Sequence, residues 1–109
     1  DHIVHESIKN HQTEKIKVDC STIDALVEKY GLNPGLIKID VEGAEFLVLF
    51  GAKNTLKNFH PVVIFESSDK LLENFSVSFK DITQIFEELN YQVIALEDKN
   101  EFIAKYRIS

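Results

Sequence analysis

The sequence predicts an α/β domain in which parallel strands are flanked by helices and a C-terminal hairpin adds an antiparallel strand. Strand patterns rich in β-branched and aromatic residues alternate with amphipathic helix patterns, which is typical of a parallel sheet with covering helices. The last two strand patterns, residues 91 to 96 and 102 to 108, are separated by a link too short for a parallel crossover. The 109 residues, 44% of them hydrophobic, suit a single globular domain.

The N-terminal part divides into an arm and a first strand–helix pair. Residues 1 to 15 are polar and lack a clear period, so we expect an arm or loop there, with the α/β half-domain over residues 16 to 109. Polar and apolar residues alternate from Lys15 to Asp19, which predicts a short strand. A helix then begins at Ser21, with Asp24 in a box-like capping position. Its apolar stripe is Ile23, Leu26, Val27 and Tyr30, and Gly31 ends it.

Two strand patterns and a long helix pattern occupy the centre of the chain. Residues 36 to 40 and residues 61 to 66 are predicted strands, and the proline at the start of the second is permitted there. Residues 43 to 57 predict one continuous helix, in which Gly51 would allow close approach to a sheet. The predicted apolar face of this helix is Ala44, Leu47, Val48, Gly51, Ala52, Thr55 and Leu56.

The segment between the central strands and the hairpin contains a loop and a helix. Residues 67 to 77 are a predicted loop, and Ser78 is the expected N-cap of the following helix. The apolar stripe of that helix is Phe79, Ile82, Ile85, Phe86 and Leu89.

Composition narrows the partners and the compartment. The formal net charge is −6, which argues against binding to a phosphate backbone. No apolar run in the sequence has the length of a membrane span. Cys20 is the only cysteine, so no internal disulfide can form, and we expect a cytoplasmic setting.

Three sequence blocks carry a family resemblance. They are Ser-Thr-Ile-Asp-Ala-Leu from residue 21, Leu-Ile-Lys-Ile-Asp-Val-Glu-Gly-Ala-Glu from residue 36, and Pro-Val-Val-Ile-Phe-Glu from residue 61. Across residues 16 to 96 the chain resembles FkbM-type S-adenosylmethionine-dependent methyltransferases. The middle block is the most specific of the three. Asn90 departs from the family pattern, which usually has glycine there.

The resemblance implies the second half of a class I methyltransferase (Rossmann-like) sheet. Residues 36 to 40 would be its fourth strand, residues 61 to 66 its fifth, and the hairpin its sixth and seventh. It also implies methyl transfer from S-adenosylmethionine to a hydroxyl of a small molecule or sugar. The family's glycine-rich cofactor turn has no counterpart, because none of the four glycines forms a G-x-G turn. We therefore expect the 109-residue fragment to be inactive alone and the enzyme to be a longer chain.

Acidic residues at two strand ends are the candidate catalytic groups. Asp40 and Glu66 end neighbouring predicted strands, where ligands bind in open α/β sheets. Either carboxylate could act as general base, or the two could hold Mg²⁺, which would lower the pKa of the acceptor. Lys38 lies on the same side as Asp40 by alternation and is the third candidate. Because an unpaired charge in a buried strand is costly, Lys38 should either pair with one of these carboxylates or extend its stem past the sheet edge.

Each candidate also has a structural explanation. Asp40 could cap the helix that follows it, and Glu42 and Glu45 would gain from the macrodipole at the start of that helix. Asp40, Glu42 and Gly43 are the candidate cofactor contacts. Gly43 could instead serve a tight strand-to-helix turn.

Two other functions remain open alternatives. The chain could be a noncatalytic α/β binding or assembly module that keeps the half-sheet. A phosphoacceptor receiver domain is a weaker alternative, because the acidic pair that it needs on an earlier strand is not visible. The edge of the strand at residues 36 to 40 would be unpaired, so we also expect self-association through that edge.

Overall fold

The computed structural model describes residues 2–9, 12–97 and 100–108. The strands in these ranges are β1 (His2–Lys9), β2 (Gln12–Asp19), β3 (Leu36–Ile39), β4 (Val62–Glu66), β5 (Tyr91–Ala95) and β6 (Glu101–Tyr106). The helices are α1 (Ile23–Tyr30), α2 (Glu45–Phe50), α3 (Lys53–Phe59), α4 (Asp69–Glu73) and α5 (Phe79–Glu88). Within the same ranges, no helix has both the length and the apolar character needed to cross a bilayer.

The central sheet has four strands in the order β3-β4-β6-β5. Strands β3 and β4 are parallel, whereas β6 runs antiparallel to both of its neighbours, β4 and β5. Three strands therefore share one direction and β6 alone opposes them. The predictions of an α/β fold, a parallel pair and a C-terminal hairpin are confirmed.

The expectation of an N-terminal arm or loop is wrong for residues 2–9 and 12–15, whereas residues 1, 10 and 11 lie outside the described ranges. Strands β1 and β2 pair antiparallel, from His2 opposite Asp19 to Lys9 opposite Gln12. They form a separate two-stranded sheet, so the strand predicted at residues 15 to 19 does not join the parallel sheet. Backbone groups pair in such a ladder whatever the side-chain pattern, and a polar stretch without alternation therefore carried no strand signal.

Helix α1 begins at Ile23, two residues later than predicted. Thr22 is its N-cap, with the Thr22 hydroxyl accepting a 3.1 Å hydrogen bond from the backbone N–H of Ala25. Gly31 ends the helix in the left-handed conformation, as predicted. Asp24 does not complete a capping box on its own helix. Of the predicted stripe only Val27 is buried, whereas Leu26 and Tyr30 are exposed.

The single helix predicted over residues 43 to 57 is two helices, α2 and α3, with Gly51 and Ala52 between them. Asp24 explains the break. Its backbone N–H donates to the carbonyl of Gly51 (2.9 Å). Its carboxylate accepts from the backbone N–H groups of Asn54 (3.1 Å) and Thr55 (2.8 Å) and from the hydroxyl of Thr55 (2.7 Å). A side chain of α1 therefore caps α3 and stabilises a new helix start.

The close approach expected at Gly51 is to α1 and not to the sheet. A Cβ at this position would lie 2.9 Å from Cγ2 of Thr22. The predicted apolar face is also partly wrong, because Leu47 is 60% exposed whereas Glu45 and Leu49 are buried. The face that does meet the core consists of Glu45, Leu49, Ala52, Thr55 and Leu56.

The core lies on one face of the sheet, under α2, α3, α4 and α5. Helix α4 occupies part of the segment predicted as a loop and buries Leu72. Helix α5 begins with a capping box between Ser78 and Asp81, and its predicted stripe packs on the sheet. The buried core residues are Ile39, Leu49, Ala52, Leu56, Val63, Phe65, Leu72, Ile82, Ile85, Phe86, Tyr91 and Ala104.

The opposite face of the sheet is only partly covered. The register aligns Lys38, Ile64, Ile103 and Ile94 in one row across the four strands. Ile64 and Ile103 are half-buried, and Lys38 and Ile94 are exposed. The expectation that Lys38 lies in a buried strand is therefore wrong. Its ammonium group remains in water and needs no buried partner.

Candidate active site

The carboxyl ends of β3 and β4 form one edge of the sheet. The parallel register pairs Ile37 with Val63 and Ile39 with Phe65, so Asp40 and Glu66 leave the sheet at the same end. Both side chains are exposed. Lys38 pairs with Ile64, two residues before Glu66, and therefore belongs to the same face as Glu66. The structure brings the three predicted residues to one region, and their catalytic roles stay predictions.

A tight turn connects β3 to α2. Glu42 has a φ of 46° and Gly43 a φ of 107°, and the backbone N–H of Ala44 donates to the carbonyl of Val41 (3.3 Å). A Cβ on Gly43 would lie 2.6 Å from the backbone oxygen of Leu71 in α4. Glycine is therefore required where this turn packs on α4. The cofactor contact proposed for Gly43 stays a prediction.

A polar cleft of about 270 Å³ opens beside this turn. It lies where α2 begins, β4 ends and the β5–β6 hairpin turns back. Of the predicted site residues, Glu42 and Glu66 line it, whereas Lys38, Asp40 and Gly43 do not. Its lining consists of Glu42, Glu45, Glu66, Ser67, Ser68, Leu71 and Asn100.

Two polar atoms in the cleft lining are buried without a partner. The side chain of Glu45 is 1% exposed and that of Ser67 is 5% exposed. Among the residues that the structure describes, neither Oε2 of Glu45 nor Oγ of Ser67 has a hydrogen-bond partner. A buried polar atom without a partner costs on the order of 1–3 kcal/mol. The cleft therefore holds hydrogen-bonding capacity that the described chain does not use.

The proposed Mg²⁺ site at Asp40 and Glu66 finds no support. Within residues 2–9, 12–97 and 100–108, no three His, Cys, Asp or Glu side chains are grouped so that they could hold a metal ion.

A larger cavity of about 540 Å³ lies between α1 and α3, and its lining includes Asp24, Asn54 and Thr55. The carboxylate of Asp24 already accepts three hydrogen bonds from α3. Its acidic group is thus committed to the fold. The carboxyl edge with its cleft is the stronger candidate site, since Oε2 of Glu45 there has no hydrogen-bond partner in the described part of the chain.

Sequence reasoning missed Ser67 and Asn100 as site residues. Ser67 directly follows Glu66 at the end of a strand, and this position was a usable signal. Asn100 directly precedes β6. Its carbonyl accepts a 2.8 Å hydrogen bond from the backbone N–H of Ser67. No local pattern connects two residues so far apart in sequence.

The fold and the cleft together define an α/β domain that presents polar and acidic side chains at the carboxyl edge of a parallel strand pair, where open α/β sheets bind ligands. The family model described as "Methyltransferase FkbM domain" matches residues 2–93, which is most of the chain. The chain belongs to the FkbM methyltransferase family, and the resemblance noted in its sequence is confirmed. No curated protein and no solved structure matched it.

Proposed function

We propose that this chain is part of an S-adenosylmethionine-dependent methyltransferase that methylates a hydroxyl of a small molecule or sugar. The observation that carries the proposal is the gathering of Asp40, Glu42 and Glu66 at the carboxyl edge of β3 and β4 in a chain of the FkbM family. The family supports methyl transfer, and the acidic edge supports removal of a proton from the acceptor.

We also propose that the four-stranded sheet is the second half of a class I methyltransferase sheet. The order β3-β4-β6-β5, with β6 as the single antiparallel strand, supports this assignment. In it β3 and β4 are the fourth and fifth strands of the full sheet, and β5 and β6 are the sixth and seventh.

The residues at the edge suit part of the cofactor. When bound, S-adenosylmethionine supplies a methyl group on a cationic sulfur. Carboxylates at the edge attract that positive charge, and we assign Asp40, Glu42 and the backbone at Gly43 as its contacts. The 109 residues contain no G-x-G turn for the methionine and ribose parts, so these residues alone are not expected to bind the cofactor.

In the proposed mechanism Asp40 acts as general base. Asp40 would take the proton from the acceptor hydroxyl, and S-adenosylmethionine, when bound, would supply the methyl group to that oxygen and retain the electron pair of the broken bond on its sulfur. Glu66, at the same edge, holds the hydroxyl in line. Lys38, on the same face, can pair with either carboxylate and fix its direction. General-base catalysis of this kind contributes on the order of 10²–10⁴ in rate.

Calorimetry with S-adenosylmethionine tests the class of function. The full protein that carries this chain should release binding heat, whereas the 109 residues alone should not. A noncatalytic binding or assembly module would give no heat with either protein. Binding by the 109 residues alone would show that no glycine-rich turn is needed.

A radiolabelled methyl-transfer assay with a panel of sugars tests the proposed base. Asp40→Asn should lower kcat by about 10²–10⁴ because the general base is lost, and it should also weaken cofactor binding because Asp40 is an assigned cofactor contact. Glu87→Gln removes a carboxylate from the exposed surface of α5 and is the matched control. Unchanged turnover in Asp40→Asn would contradict the assignment.

We further propose that the edge of β3 pairs with another copy of the chain. Strand β3 is an outer strand of the four-stranded sheet, and Leu36 is 59% exposed there. Unpaired strand edges recruit partners. Sedimentation velocity of the 109 residues should show a concentration-dependent dimer that Leu36→Lys weakens, and a monomer at all concentrations would overturn the idea.

The single cysteine and the acidic composition favour a cytoplasmic location, which imaging of the tagged full protein would test.

A further inference from the structure

We propose that the cleft lined by Glu42, Glu45 and Glu66 binds a primary ammonium group carried by the methyl acceptor. The inference rests on the proposed function and adds a substrate class to it, namely hydroxylated acceptors that bear an amine. It follows from the charge, the burial and the size of the cleft.

The charge of the lining selects a cation. Three of the seven lining residues are glutamates, and no lysine or arginine is among the described lining residues. Carboxylates that line one cleft repel an anionic ligand and attract a cationic one. A phosphate or carboxylate group is therefore excluded as the occupant, and a neutral group would leave the charge uncompensated.

The buried atoms select a group with several donors. Oε2 of Glu45 needs a hydrogen-bond donor, and Oγ of Ser67 can accept one as well. An ammonium group offers three N–H donors and a positive charge, and its hydrogen bonds to a carboxylate are about twice as strong as neutral ones. The amide oxygen of Asn100, which also lines the cleft, can take the third.

The size of the cleft argues for an organic group over a metal ion. Its volume of about 270 Å³ is several times the roughly 30 Å³ that one water occupies in the liquid. In the described part of the chain, no acidic trio is placed closely enough to coordinate a metal. An amine attached to a sugar or similar scaffold suits a space of this size.

The test is an NMR titration of the intact protein with D-glucosamine at pH 6.5. Amide signals of Glu45, Ser67 and Asn100 should shift together. N-acetyl-D-glucosamine keeps the ring and removes the charge, so it should bind at least about tenfold more weakly, a difference of roughly 1.4 kcal/mol. Equal affinity for the two sugars, or shifts confined to other residues, would overturn the proposal.

Variants separate the buried carboxylate from general charge effects. Glu45→Gln should weaken glucosamine binding about tenfold, whereas Glu87→Gln, with the same loss of charge on exposed α5, should not. Glu66→Gln should weaken glucosamine binding by about threefold. Because Glu66 is exposed, this variant leaves the packing of the core unchanged. Unchanged binding in both cleft variants would refute the assignment.

The cofactor carries an ammonium group too, and a competition experiment distinguishes the two sources. S-adenosylhomocysteine keeps that ammonium and lacks the sulfonium charge. It should leave the glucosamine shifts in place, and displacement of glucosamine would assign the cleft to the cofactor instead. If the protein releases heat on binding S-adenosylmethionine but shows no NMR response to glucosamine, this inference is wrong and the methyltransferase assignment still holds.

Discussion

Asp24 and Glu45 are two acids in neighbouring helices with opposite relations to the rest of the chain. The carboxylate of Asp24 accepts three hydrogen bonds, all from the first turn of α3. Glu45 is more deeply buried, at 1% exposure, yet its Oε2 has no donor among the described residues. The difference shows that an acid with a structural role, such as Asp24, receives its hydrogen bonds from its own chain. An acid left unsatisfied at a ligand-binding edge marks a candidate for function.

The largest expected effect tests the rigidity of the turn beside Glu45. Gly43→Ala should lower the free energy of unfolding by about 3 kcal/mol, because a Cβ would meet the carbonyl of Leu71 at 2.6 Å and φ is 107°. Gly35→Ala is the control, because nothing lies within 4 Å of a Cβ there. It should change stability by less than about 0.5 kcal/mol. Similar values from urea unfolding of the two variants would show that the turn is soft.

Removing the satisfied acid should be the next largest change. Asp24→Ala should cost about 2 kcal/mol, because α3 loses its cap and the backbone N–H groups of Asn54 and Thr55 lose their acceptor. Thermal unfolding followed by circular dichroism should show Tm lower by roughly 10 °C. Asp69→Ala, in the exposed first turn of α4, should cost only a few tenths of a kcal/mol. Equal losses of stability in the two variants would mean that the hydrogen bonds from α3 to Asp24 do not stabilise the fold more than an ordinary exposed acid does.

Neutralising the unsatisfied acid should have the opposite sign. Glu45→Gln should raise the free energy of unfolding by about 1 kcal/mol, because it replaces a buried carboxyl group whose Oε2 has no donor among the described residues with a neutral amide. Asp24→Asn, the same chemical change at the satisfied site, should lower it. A loss of stability in both variants would abolish the contrast and would make Glu45 a structural residue.

The phenol of Tyr91 is a third buried polar group, and its contribution to stability depends on pH. Tyr91 donates a 2.6 Å hydrogen bond to the carbonyl of Pro61, so Tyr91→Phe should cost about 1 kcal/mol at pH 7. Burial, and then the nearby Tyr106, raise the pKa of the Tyr91 phenol. The unfolded phenol ionises near pH 10 and the folded one does not, so this stability is present below about pH 10 and is lost above it.

Denaturation between pH 8 and 11 measures this effect. Tyr91→Phe should flatten the decline above pH 10. The exposed Tyr30→Phe should leave the decline unchanged. An equally steep decline in Tyr91→Phe would assign it to other groups.

Features encoded by local sequence were predictable. Ser78 and Asp81 are three residues apart and form the capping box of α5, and the short link before β6 implied the hairpin. The common edge of Asp40 and Glu66 follows from parallel pairing of two strands. Each of these inferences needs only a short stretch of chain or one rule of topology.

Features that depend on distant partners were not predictable. Asp24 reaches Thr55 across 31 positions, and this contact divides a helix that the apolar pattern shows as continuous. Glu45 is buried and Leu47 exposed because the break changes which face of α2 meets the core, against the hydropathy of both residues. The pairing of β1 with β2 rests on backbone hydrogen bonds, for which a polar sequence without alternation gives no sign.

The hydrogen bond from the backbone N–H of Ser67 to the carbonyl of Asn100 joins two segments that the ribosome makes at different times. Translation makes the strand ends and the acids first, and the wall at Asn100 follows only after α5 and β5 have been made. A nascent chain that stops short of β6 can carry every acid of the edge and still lack a closed cleft. The proposed amine site is therefore expected to form only after Asn100 has been made.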